Sequence, residues 1–92
     1  MTMLHIISRS PFESSALRDC LKVARSGDVL LLLADAVYAT TQPEKELAHL
    51  NVQALEEHVV ARGLPRSTWV TYIDYGTMVE LTEQHHPIQT WF

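Results

Sequence analysis

Five apolar residues stand in a row from Val29 to Leu33, within the stretch Gly27–Ala39, GDVLLLLADAVYA. The run is fenced by Gly27-Asp28 on one side and Asp35 on the other. A strand with one wet face alternates apolar and polar residues, and this run does not, so both of its faces should be covered. That pattern predicts a central strand over 29–33 of a mostly parallel sheet. Asp35 then stands just past the strand's carboxyl end, where open α/β sheets place their binding sites.

Further strands are predicted on either side of this one. Met3-Leu4-His5-Ile6-Ile7 is a β-prone run ended by Ser10-Pro11. Val52–Leu55, Trp69–Ile73 and Ile88–Phe92 are the others. Between them lie helical stretches. Ser14 to Arg25 carries Leu17, Leu21 and Ala24 on one face, with Cys20 at the edge of that stripe, and Gly27 is suited to a left-handed stop. Asp35 could cap a turn over Ala36–Thr40, and Pro43–Leu47 could open another short helix. Glu57–Arg62 ends at Gly63-Leu64-Pro65, and residues 75–84 follow Asp74, which repeats the position of Asp35 after a strand. Strand and helix alternate throughout, so the expected fold is α/β. It has three layers, with a mostly parallel sheet of about five strands and right-handed crossovers.

Length narrows this to one domain over residues 1–92 with a thin core, a chain that a partner would help to stabilise. Seven Lys and Arg, no basic run and a net charge of −4 argue against direct nucleic-acid binding, which needs clustered cations. The residues MTMLHIISRSP show neither a basic segment nor a long apolar one, so no signal peptide is expected. No apolar run approaches a membrane span, so no membrane partner is expected. The single cysteine excludes an intrachain disulfide and suits a cytoplasmic, reducing location.

Candidate chemistry is sparse. Cys20 reads either as a small buried hydrophobe or as a sulfur-handling thiol. Its helical neighbours Ala16, Leu17, Val23 and Ala24 are apolar and would not activate it. Asp35 and Asp74 read either as paired carboxylates at one sheet edge or as two helix N-caps, with Arg9 available to pair with one of them. The histidines at 5, 49, 58, 85 and 86 have no metal-ligand spacing, and His85-His86 suits a helix C-terminus, so no metal is expected. No phosphate loop or nucleophile elbow is present, and no cofactor is expected. Tyr38, Trp69, Trp91 and Phe92 are large apolar groups for so small a core and fit an interface.

Several of these segments, in this order and spacing, resemble the DsrH/TusB family. They are Met3–Ile7 with Ser10-Pro11-Phe12, Gly27–Leu32 running into Asp35–Ala39, Ala61–Leu64, Ile73-Asp74-Tyr75, Leu81-Thr82 and Gln89-Thr90-Trp91. The resemblance implies a DsrEFH-like fold. It also implies a heterohexamer with two copies each of this subunit, a DsrE/TusD-like subunit and a DsrF/TusC-like subunit. Sulfur would travel as a persulfide, mainly on the DsrE/TusD-like partner, to a TusE/DsrC-type carrier. The end use would be 2-thiouridine synthesis at the tRNA wobble position, or alternatively dissimilatory sulfur oxidation. A cysteine in the first helix, here Cys20, resembles DsrH-type members and raises a sulfur-handling or carrier-docking role. The alternative is a purely structural subunit. Arg9, Asp35, Tyr38 and Asp74 are the expected sheet-edge or interface residues.

Overall fold

The computed structural model describes residues 3–41, 47, 50–84 and 87–91. Five strands, β1 (Leu4–Ile7), β2 (Val29–Leu32), β3 (Asn51–Leu55), β4 (Thr71–Ile73) and β5 (Ile88–Trp91), form one sheet in the order β4-β3-β2-β1-β5. Every neighbouring pair is parallel. Helix α1 (Ala16–Val23) joins β1 to β2, and α2 (Glu56–Ala61) joins β3 to β4. A 3₁₀ helix over Ala34–Thr41 follows β2, and α3 (Tyr75–Gln84) joins β4 to β5.

This order accounts for the layers. From β1 to β4 each step moves to the next strand in one direction, so right-handed crossovers put α1, the 3₁₀ helix and α2 on one face. The step from β4 to β5 runs back across the sheet and puts α3 on the other. The core divides accordingly. Ile7, Leu30, Leu32, Val52 and Ala54 pack with Leu17, Cys20, Val37 and Val59. Leu4, Val29, Leu31, Leu55 and Ile73 pack with Leu81 and Met78. Alternate residues of β2 serve the two clusters, which is why the run is apolar without a break. The expected central strand, parallel sheet and helices on both faces are all present.

Element ends differ from expectation for local reasons. Helix α1 stops at Val23 rather than Arg25 because the Arg25 N–H donates to the Asp28 carboxylate at 3.0 Å while the Asp28 N–H returns to the Arg25 carbonyl at 2.9 Å. Gly27 closes that turn at φ 94°, as its position predicts. β4 begins at Thr71 rather than Trp69, which lies in a turn and packs on the core from there. The short helix expected at 43–47 lies outside the described residues apart from Leu47, which is helical and fully buried. His49, His85-His86 and Phe92 also lie outside them. Among the described residues no helix is long and apolar enough to cross a membrane.

Candidate functional site at the carboxyl edge of the sheet

β3 is followed by α2 on one face of the sheet and β4 by α3 on the other. Loops that part to opposite faces leave a crevice at the carboxyl ends of the two strands, the usual binding position in such folds. Here the crevice is bridged by two side chains. His58 on α2 accepts the Ala34 N–H on its Nδ1 at 2.8 Å. A backbone N–H can only donate, so the ring proton sits on Nε2, which donates to the Tyr75 hydroxyl at 3.2 Å. The two rings meet edge to face, with centroids 6.1 Å apart. Tyr75 opens α3, and its own hydroxyl hydrogen is left to point outward.

Ala34 is the one non-glycine residue with positive φ, 48°, among the described residues. The left-handed conformation is costly for a residue with a Cβ, and the His58 bond holds it in place. The turn at Ala34 carries Asp35 into the first turn of the 3₁₀ helix. Its carboxylate therefore does not take the helix-capping role that the sequence pattern predicts for it. Asp35 Oδ1 instead accepts Arg62 Nε at 3.1 Å and Nη2 at 3.0 Å. Arg62 Nη1 also donates to the His58 carbonyl at 3.1 Å, which ties the pair to α2. Arg9, the cation expected near these acids, is exposed and takes no part.

Asp74 behaves as its position predicts. Its Oδ1 accepts the Thr77 N–H at 2.8 Å, capping α3. The Thr77 backbone and side-chain bonds hold its carboxyl below the usual carboxylate range. The two acids are thus engaged separately, Asp35 by Arg62 and Asp74 by Thr77, and no hydrogen bond joins them as an acid–base pair. Tyr38 is half-buried on the 3₁₀ helix, with its carbonyl accepting the Thr41 hydroxyl. His58, Arg62 and Tyr75 were not singled out from the sequence. The spacing of four between His58 and Arg62 on one helix face was the available signal.

Cys20 belongs to the core instead of the crevice. It sits at the centre of the buried face of α1 rather than at its edge, because Ala16 and Leu17 are buried with it while Leu21 is only partly covered. Its exposure is 0%. Burial, then the negative charge of Asp28, push its thiol up to about 12. Asp28 accepts three donors: Met3 N–H at 3.0 Å, Arg25 N–H at 3.0 Å and His5 Nε2 at 2.9 Å. Burial pushes its carboxyl up, but those three bonds and the His5 ring outweigh it and hold the group below the usual range. His5 Nδ1 in turn accepts the indole N–H of Trp91 at 3.1 Å.

Chemically, the crevice offers an oriented hydroxyl donor, an exposed carboxylate–guanidinium pair and no activated nucleophile. Such a set can hydrogen-bond and ion-pair with polar groups. Among the described residues no three acids, histidines or cysteines cluster to hold a metal.

A model of the family described as DsrH-like protein matches residues 9–88. The Protein TusB of Serratia proteamaculans is 38% identical over 96 residues, covering 97% of this chain and all of that one. The Protein TusB of Escherichia coli K12 is 38% identical over 98 residues with the same coverage. Among solved structures, the crystal structure of the ychN protein from E. coli superposes with a TM-score of 0.79 at 20% identity. It covers 98% of this chain and 99% of its own, a likeness of fold. The chain belongs to the DsrH/TusB family.

Proposed function

We propose that this chain is a non-autonomous subunit of a cytoplasmic sulfur-relay complex and acts in it as architecture and docking surface. The observation that carries this reading is the state of Cys20 in a member of this family. The only thiol of the chain is fully buried and is pushed up to about 12. At pH 8 a thiol of that kind is thiolate in only ~10⁻⁴ of molecules, too little for persulfide exchange at a useful rate. The persulfide-bearing cysteine is accordingly assigned to the DsrE/TusD-like partner. A DsrF/TusC-like subunit completes a heterohexamer with two copies of each, and a TusE/DsrC-type carrier receives the sulfur. The exposed Asp35–Arg62 pair and Tyr75 hydroxyl at the carboxyl edge are the surface offered to a partner. The end use is 2-thiouridine synthesis at the tRNA wobble position, in keeping with the TusB names of relatives aligned over nearly the whole chain.

A second reading rests on the placement of Cys20 in the first helix, which resembles DsrH-type members and dissimilatory sulfur oxidation. It requires Cys20 to take up sulfur after a rearrangement around α1. One experiment separates the two. The assembled complex is incubated with a persulfidated sulfurtransferase, with wild-type and Cys20→Ser chains compared by intact mass. The proposal predicts about 32 Da added to the DsrE/TusD-like partner and the carrier, none on this chain, and unchanged delivery in the variant. A reductant-sensitive gain on this chain, lost in Cys20→Ser, would make Cys20 a relay station instead.

A further inference from the structure

β5 is the last described element of the chain and an edge of the sheet, paired to β1 alone. Its residues Ile88 to Thr90 are exposed, and only Trp91 is partly buried, against the cluster that holds Ile7 and Cys20. The side chain that ties it inward is again Trp91, whose indole N–H donates to His5 Nδ1 at 3.1 Å. His5 is 1% exposed and is committed on its other nitrogen to Asp28.

We propose that His5 and Trp91 form a proton-operated latch on the C-terminal strand: protonation of His5 releases Trp91 and loosens β5 from β1.

The chemistry follows from the donors available. An indole N–H is a donor only, so the Trp91 bond exists only while His5 Nδ1 carries no proton. In the neutral ring the hydrogen is on Nε2 and points at Asp28, and both bonds are made. A proton added to the ring goes to Nδ1, since Nε2 already has one. Two N–H groups then face each other. One side must yield, and the packing decides which. The Asp28 carboxylate is fixed by the Met3 and Arg25 amides and gains attraction for the charged ring, so the imidazolium stays with Asp28. Trp91 stands on an edge strand with exposed neighbours and moves away.

The charged and titratable groups facing His5 among the described residues are few. Asp28, ahead of β2, is the one carboxylate in contact. From α1 the buried face presents Ala16, Leu17 and Cys20, whose thiol is neutral. From β5 the residue beside His5 in register is Gln89, and its next neighbour is Trp91. Arg25 meets Asp28 through its backbone N–H.

Amide hydrogen exchange on the full-length chain, followed from pH 8 to pH 5, tests this. Protection of the Gln89–Trp91 amides, corrected for intrinsic exchange, is compared with that of Leu30–Leu32 in β2. The loss of one partly buried hydrogen bond predicts a fall of about tenfold in β5 protection relative to β2. In Trp91→Phe, β5 starts at the low value and stays there across the range. The indole N–H resonance of wild-type Trp91 gives the same test without a substitution, since it moves to the free position once His5 Nδ1 carries a proton. The proposal is overturned by β5 protection that does not change with pH, by an equal fall in β2, by the same fall in Trp91→Phe, or by an indole resonance that stays put.

Discussion

Replacing Asp28 with Ala removes the acceptor of three donors at once, and the structure sets the size of the loss. The Met3 and Arg25 amides are partly buried and recover water when the carboxylate goes, which leaves about 1 kcal/mol for each bond. The His5 Nε2–H is buried and recovers none, so its bond to a charged acceptor is worth about 2 kcal/mol. Together they make about 4 kcal/mol, a large part of the 5–15 kcal/mol of a typical domain. For a chain of this size that is a drop in Tm of roughly 16–32 °C. Asp28→Asn should recover little, because its amide group would meet donors. The alternative His5 tautomer would only move the conflict to Trp91. The pH dependence carries the same signature. The folded pKa of Asp28 lies below its ordinary value of 3.8, so its contribution is complete above about pH 4 and is lost as pH falls through the folded value. Thermal melts at pH 7 and a Tm series from pH 5 to pH 2 measure both effects. A loss below about 1 kcal/mol in Asp28→Ala, or an acid slope unchanged by the substitution, would refute the assignment of Asp28 as the hub of this edge.

Other outcomes follow from the remaining contacts. Ala34→Gly should stabilise the chain by about 0.5–1 kcal/mol, because relief of the left-handed strain at φ 48° exceeds the extra freedom of glycine in the unfolded chain. A lower Tm would show that Ala34 is not strained. His58→Ala should lose about 1–2 kcal/mol through the unsatisfied Ala34 N–H, whereas His58→Asn, with an oxygen near the Nδ1 position, should keep most of it. Denaturant melts of the pair distinguish a specific bond from general packing. Cys20 in the native chain should react with a disulfide reagent at pH 8 only as fast as the chain opens, and rapidly in guanidinium. Prompt native labelling would contradict its burial.

Much of the fold was legible because parallel strands covered on both faces read as unbroken apolar runs, and Val29–Leu32 is such a strand. The Asp74 cap was legible too, since its acceptor and its donor Thr77 are three residues apart. The rest depends on long-range partners that periodicity does not register. Asp35 resembles Asp74 in sequence but is taken by Arg62, 27 residues away, and is shifted by the left-handed turn at Ala34. His5 finds Asp28 at a separation of 23 residues and Trp91 at 86. A pattern of apolar positions marks where His5 is buried and leaves its partners unspecified. Cys20 was misplaced by a smaller effect: the helix turns Ala16 rather than Leu21 fully into the core, which centres the buried face on the thiol.

As a DsrH/TusB family member, this chain works as one subunit of a sulfur-relay assembly. Native mass spectrometry of the chain co-expressed with DsrE/TusD-like and DsrF/TusC-like chains, the proposed partners, tests it most directly. The account predicts one dominant species with two copies of each chain, and loss of sulfur delivery to the carrier when this chain is omitted. A free monomer of this chain beside partners that assemble and deliver sulfur without it would contradict the account.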